Sequence, residues 1–438
     1  MTSLLSAQVF KKRRQQLMQK IGGDAIAIIP AAPHHLRNRD THYSYRQDSD
    51  FYYLTGFAEP EAVLVLAPGY AEGESILFCR PKDKAAEIWD GYRAGPIGAV
   101  KNYGMDSAYL ISELEEKIIH CMTGREKVIY PMARDMKFDR RLLSWINQLQ
   151  NKVRSGVAVP RQCIALDSIL HELRLIKSTD EIKIMQAAAN ISVHAHQHAM
   201  QVCRPGMKEY ELEAEYLRVF YGAGSRSPAY PSIVAGGANA CVLHYVENNQ
   251  VLNSGDLVLV DAGAELDYYA SDITRTFPVN GRFTPAQRAL YDLVLDAQLA
   301  AIEKVRVGYH WNEPHEAAVK VLTEGLVKLK ILSGSVNQLI KKESYKSFYM
   351  HRTGHWLGMD VHDVGAYKLK NQWRPLKSGM VLTVEPGLYI APDADVANKW
   401  KGIGIRIEDD VLVTSKGPQI LTAALVKKSD DIEQLMKG

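Results

Sequence analysis

The chain has 438 residues, too many for one ordinary domain and enough for two or three with their own cores. Its 53 lysines and arginines nearly balance 50 aspartates and glutamates, and a net charge of +3 leaves no basic stripe for nucleic acid or a membrane surface, so peptides or small molecules remain as ligands. Five scattered cysteines with no C-x-x-C pair, no secretory leader and no apolar run of transmembrane length read as a cytoplasmic protein with reduced thiols.

Residues 1 to 175 alternate helical patterns with short apolar runs, "DAIAIIP" (24 to 30), "EAVLVLAPG" (61 to 69), "SILFC" (75 to 79) and "KVIYP" (127 to 131). Strands interleaved with helices predict an α/β domain. At "KSTDEIK", Ser178 and Glu181 form a capping box, the sign of a helix starting afresh, so the domain border is expected near Leu175 and a second domain over 176–438. Two further helices are predicted, one from Thr284-Pro285 with Gln287 at its third position to Gly308, the other starting near Asn312 and ending by Gly334. Between and after them lie the strand-like runs "DLVLVDAG", "DITRTFPV", "MVLTVEPG" and "GIRIEDDVLVT", which together predict an α+β domain with paired strands around a site.

Two of these runs resemble each other. "SGDLVLVDAG" (254 to 263) and "SGMVLTVEPG" (378 to 387) both place an acid, Asp261 or Glu385, two residues before glycine. Each is followed by a run with a further acid, Asp272 or Glu408, so the chain reads as two related strand pairs with two carboxylates apiece. Four ionised carboxylates in a low-dielectric interior repel one another and need about four compensating charges. Arg275 and Arg406 lie in the same runs and supply some. Two divalent cations about 3.5 to 4 Å apart would supply all four.

Nitrogen ligands are available in "HRTGHWLGMDVHDVG", with His351, His355 and His362, and in "CVLHYVENN", with His244. Gly354 and Gly358 argue against a helix there, and spacing alone does not assign the roles of these histidines. A second cluster, His194, His196 and His198, lies in the capped helix with no acid in the nearby turns, and is expected on a solvated or interhelical face.

The order Asp261, Asp272, His355, Glu385, Glu408, within "VDAG", "DITRTF", "GHWLGMDVHD", "EPGLY" and "GIGIRIEDD", resembles the aminopeptidase P branch of the pita-bread metallopeptidases. The resemblance extends to "YSYRQDSDFYYLTGFAEPEAVLVL" and "AEIWDGYRAG" in the first half, so it covers nearly the whole chain. It implies an α/β N-terminal domain followed by an α+β pita-bread catalytic domain. By resemblance Asp272 and Glu408 bridge two metals, Asp261 completes one and His355 with Glu385 the other. The family implies manganese, and an oxygen-rich set with one imidazole suits a hard ion. The implied reaction is attack by a metal-bridging hydroxide on the bond before a penultimate proline of a peptide. Glu385 would pass the proton to the departing nitrogen, with His362 and His244 at the oxyanion or substrate. His351, Arg406 and Tyr389 would line the proline pocket, and Trp89 and Asp40 of the first domain would help close it. The resemblance further implies a homodimer or homotetramer. A prolidase, which requires a dipeptide, shares the five ligands, and a non-enzymatic pita-bread binding module is the other alternative. After His362 the family arginine is replaced by "AYKLKNQWRP", with Lys368, Lys370 and Arg374.

Overall fold

The computed structural model describes residues 3–437 and divides into two compact units between Leu173 and Arg174. In the first unit, six strands form one mixed sheet in the spatial order Ser107–Leu110, Ser75–Cys79, Val63–Leu66, Ala25–Pro30, Lys127–Tyr130, Gln162–Ala165. The four apolar runs of the sequence are its four central strands. The two edge strands went unrecognised because they lack a continuous apolar run, and both are only partly buried or exposed. Helices Leu114–Met122 and Met136–Gln150 bury Leu114, Ile118, Phe138, Leu142 and Trp145 in the core formed with this sheet.

The second unit opens with the capped helix Thr179–Val202, where the Ser178 backbone N–H donates to Glu181 Oε2 at 2.9 Å. The helix Pro285–Ile302 has the expected Thr284–Gln287 box but stops six residues before Gly308. Beyond Ile302 the chain turns to bury Val305 completely, and Gly308 (φ 89°) donates its N–H to Leu376 O at 3.0 Å. The helix Glu313–Lys328 follows.

The two similar runs build two similar sheets. Leu257–Asp261 lies between Ile233–Gly236 and Thr274–Pro278, and Asp409–Thr414 lies between Val381–Val384 and Gly417–Ile420, all antiparallel. "GIRIEDDVLVT" is not one strand. Ile403–Arg406 pairs with Gly387–Ile390, whereas Asp409–Thr414 pairs with Val381–Val384. Both chains therefore change partners at the same level, between Val384 and Gly387 on one side and between Arg406 and Asp409 on the other. Glu385 and Glu408 occupy that corner.

Candidate metal centre

Each acid is placed by backbone that its neighbours fix. Asp261 ends its strand, opposite Thr274. Two residues on, the chain passes so close to the next segment that a Cβ on Gly263 would lie 1.8 Å from Ser271 O, which accounts for the glycine of "VDAG". Asp272 sits in the link 271–273 just before Thr274–Pro278, so its backbone N–H is left for the Asp410 carboxylate at 3.2 Å. His355 lies in irregular chain that runs beside Thr383–Glu385. Its N–H donates to Thr383 Oγ1 at 3.1 Å, Glu385 N–H donates to Thr353 O at 2.8 Å, and a Cβ on Gly354 would stand 2.0 Å from Thr383 O.

The side chains converge on one cavity of about 950 Å³, lined by Asp261, Asp272, His355, Glu385 and Glu408 together with His244, His351, His362 and Arg406. His355 Nε2 is 3.3 Å from Asp272 Oδ2 and 3.8 Å from Glu385 Oε1. Asp272, His355 and Glu408 each offer a ligand atom, and these atoms lie within 4.8 Å of one another. The Tyr230 hydroxyl stands 2.6 Å from Asp261 Oδ1 and 2.5 Å from Asp272 Oδ1. Arg406 donates to Asp261 Oδ2 at 2.7 Å, and Thr274 Oγ1 to Glu408 Oε2 at 2.7 Å.

The electrostatics show a deficit of positive charge. Burial, reinforced by Asp272, Glu385 and Asp261, raises Glu408 well above the carboxylate range. Burial likewise pushes Glu385 up to about 7, although His355 and Arg406 oppose it. Asp261 is raised by burial despite its pairing with Arg406. Burial works against the His355 imidazolium, but its hydrogen bond to Asp272 and the charges of Asp272 and Glu385 lift it to about 9. Asp272 alone of the four acids falls below its ordinary value, because the His355 contact outweighs burial. One guanidinium and one imidazole do not balance four buried carboxylates. Two divalent cations would, and the donor set of carboxylate oxygens plus a single imidazole fits them.

The chain is similar over almost its whole length to known proteins. Residues 183–415 match the model of metallopeptidase family M24, and residues 10–130 match the aminopeptidase P N-terminal domain. The Xaa-Pro aminopeptidase of Escherichia coli is 46% identical over 435 residues, covering 99% of this chain and 98% of that protein. The solved aminopeptidase PepP of Pseudomonas aeruginosa superposes with a TM-score of 0.98 at 53% identity, covering 100% of this chain and 99% of that one. A zinc-substituted E. coli aminopeptidase P in complex with product gives a TM-score of 0.96 at 45% identity, over 99% and 98% of the two chains. The chain belongs to metallopeptidase family M24. Its fold is an aminopeptidase P-type α/β N-terminal domain followed by the pita-bread catalytic domain.

In this M24 chain the other residues singled out from sequence fall into two groups. His351 contacts the Tyr389 hydroxyl through Nε2 at 2.9 Å, and Arg406 Nη1 donates to the same hydroxyl at 2.9 Å. The His362 ring stands edge-on to His355 with centroids 4.3 Å apart, and His244 lines the same cavity. Trp89, 87% exposed, and Asp40, also exposed, belong to the first unit. Arg275 does not face the centre. It is fully buried and pairs with Asp409 at 2.8 Å. Among the three helix histidines, His196 takes the interhelical alternative, packed against Tyr216 of the next helix, Glu209–Gly222. It is fully buried between Tyr216, whose hydroxyl donates to Nδ1 at 3.0 Å, and Ala262 O, 3.0 Å from Nε2. His198 is interhelical, 2.7 Å from Glu215 of the next helix.

Sequence reasoning missed Tyr230, Thr274 and Asp410. Nothing in "SPAYPSIV" announces a hydroxyl shared by two acids. Asp410 was visible as the last acid of "IEDD", but its inward direction depends on the sheet corner just before it.

Proposed function

We propose that this chain is a two-metal Xaa-Pro aminopeptidase that hydrolyses the bond between an N-terminal residue and a penultimate proline. The observation that carries the reading is the convergence of Asp261, Asp272, His355, Glu385 and Glu408 on one cavity, in a chain aligned nearly end to end with Xaa-Pro aminopeptidases. In the proposed ligand set Asp272 and Glu408 would be shared by the two ions, Asp261 would complete one site, and His355 with Glu385 would complete the other. Manganese suits this oxygen-rich set. Bound there, two such ions supply Lewis acidity and acidify water at neutral pH.

The protein groups divide the remaining work. Glu385 lies at the edge of the set and carries the proton to the departing proline nitrogen. His362 and His244, at the cavity wall, donate to the carbonyl oxygen as charge develops on it. His351, Arg406 and Tyr389 form one hydrogen-bonded wall against the proline ring. An Xaa-Pro amide has no N–H, so a site accepting it needs no acceptor at that point. Trp89 and Asp40 close the site from the first domain within a homodimer or homotetramer, which sedimentation would reveal. Five unpaired cysteines suit a reducing cytoplasm, and among the described residues no helix is long and apolar enough to cross a membrane.

The deciding assay offers metal-depleted protein, with and without added manganese, an Xaa-Pro dipeptide and an Xaa-Pro-Yaa tripeptide. Metal-dependent cleavage of the tripeptide is expected. Cleavage of the dipeptide alone would instead make it a prolidase, and no cleavage with no retained metal would make it a binding module. Asp261→Ala and Glu408→Ala are expected to lower turnover by roughly three orders of magnitude and to reduce bound metal, measured by elemental analysis.

A further inference from the structure

The cavity that carries the acids also carries two cations without a carboxylate partner among the described residues. Arg352 follows His351, and Lys368 begins a short hairpin formed by Lys368–Leu369 and Gln372–Trp373. The hairpin turns through Lys370 (φ 47°) and Asn371 (φ 65°), the left-handed pair of a tight two-residue loop. Cross-strand pairing sets Lys368 opposite Trp373, with Nζ 4.3 Å from the ring centroid. The Arg352 guanidinium stands 5.1 Å from the same centroid.

Both cations are held in place. Arg352 Nη2 donates to Asn312 Oδ1. The hairpin rests on Tyr367, which stacks on buried Trp356 and packs 4.6 Å from Trp311, while Trp311 N–H donates to Arg374 O at 2.9 Å. Two like charges gathered around one indole repel each other, and an anion between them relieves that repulsion. The cavity is thus electrically polarised, with carboxylates at the centre and two cations on the hairpin side. A peptide entering it sends its N-terminal ammonium toward the acids and any downstream negative charge toward the cations.

We propose that Arg352 and Lys368 form a carboxylate subsite that selects peptides bearing a negative charge beyond the proline. The charge is either a C-terminal carboxylate or an acidic side chain. This deepens the aminopeptidase reading and rests on it for the identity of the ligand as a peptide.

The test compares kcat/KM for Ala-Pro-Ala as free acid and as amide, and for Ala-Pro-Glu-amide against Ala-Pro-Gln-amide. Binding of the fragments Pro-Glu-amide and Pro-Gln-amide, and of Pro-Ala as acid and amide, is measured in parallel by calorimetry. The charged member of at least one pair should be favoured roughly 3- to 10-fold, mostly through KM, and the preference should shrink in about 0.5 M salt. Preference within the first pair identifies the C-terminal carboxylate, and within the second the side chain. In the R352Q/K368Q double variant each ratio should fall toward one, and R352E/K368E should favour Ala-Pro-Lys-amide instead. Equal efficiencies in the unsubstituted protein, or ratios unchanged in both variants, would overturn the subsite. Carboxylate-selective fragment binding without any cleavage would overturn the reaction while leaving the subsite standing.

Discussion

Tyr230 gives one hydroxyl proton to two carboxylates, 2.6 Å from Asp261 and 2.5 Å from Asp272. Its phenol is fixed in the protonated form, since burial and the neighbouring acids raise it well above its ordinary value. A donor that orients ligands without itself binding metal typically contributes 10- to 100-fold in affinity. Tyr230→Phe is therefore expected to weaken divalent-metal binding about tenfold, as read by competition with a chromophoric chelator. His196 acts on stability instead. Burial lowers it to about 3, so the unfolded chain takes up a proton that the folded chain refuses. The stability is fully present above the ordinary imidazole value of about 6.5. It is lost as the pH falls toward 3, by up to ~1.4 kcal/mol per pH unit. The stability gap between the unsubstituted protein and His196→Gln, measured by urea unfolding of the metal-loaded forms, should therefore be wider at pH 7 than at pH 5, with about 1–3 kcal/mol of it from the altered Tyr216 contact.

The loop from His351 to Tyr367 has no regular secondary structure, yet it carries three of the candidate site histidines. A buried ion cluster holds it. Asp363, next to His362, lies 2.6 Å from Arg174 and 2.8 Å from Lys177, all three buried. Breaking one member of such a cluster leaves buried charge uncompensated, at about 3–5 kcal/mol. Asp363→Asn is expected to lower stability by that order in denaturant titration, with the His362-bearing segment becoming sensitive to limited proteolysis. This anchoring was not legible in sequence, where Arg174, Lys177 and Asp363 are separated by nearly two hundred positions. The strands around it were legible, because unbroken β-prone runs such as "LVLV" and "VLTV" have few other places to go. The break in "GIRIEDDVLVT" was not, since a strand that changes partner and one that continues have the same composition.

For the whole catalytic domain, the metal-free centre carries a pH-dependent cost. Glu385 is raised to about 7 and Glu408 is raised well above its ordinary range, in both cases chiefly by burial. The folded metal-free chain therefore keeps protons that the unfolded chain has released above about pH 4.5. Its stability consequently falls as the pH rises from there through about 7. Divalent ions replace those protons and remove the cost. The melting-temperature gap between metal-loaded and metal-free protein is expected to widen from pH 5 to pH 7.5. His196 contributes equally to both forms and cancels in the difference.

The sequence by itself determined the candidate ligand types, their order and the apolar strands that carry them. Four acids set into such strands are a chemical oddity in any context, and the repeated Ser-Gly frame with its acid pointed to two matching strand pairs. The similarity to relatives extended that reading to the reaction. Only the tertiary structure decided what each acid faces. Arg406 reaches Asp261 while Arg275, in an equally suggestive run, pairs with Asp409 behind the sheet. Tyr230 joins two acids from a segment with no charge of its own, and Arg352 and Lys368 meet over one tryptophan. The physical reason is that burying charge is costly wherever it happens, so a sequence shows that compensation is needed, whereas the partner is chosen by strand register and sheet corners that bring distant residues within a few ångströms.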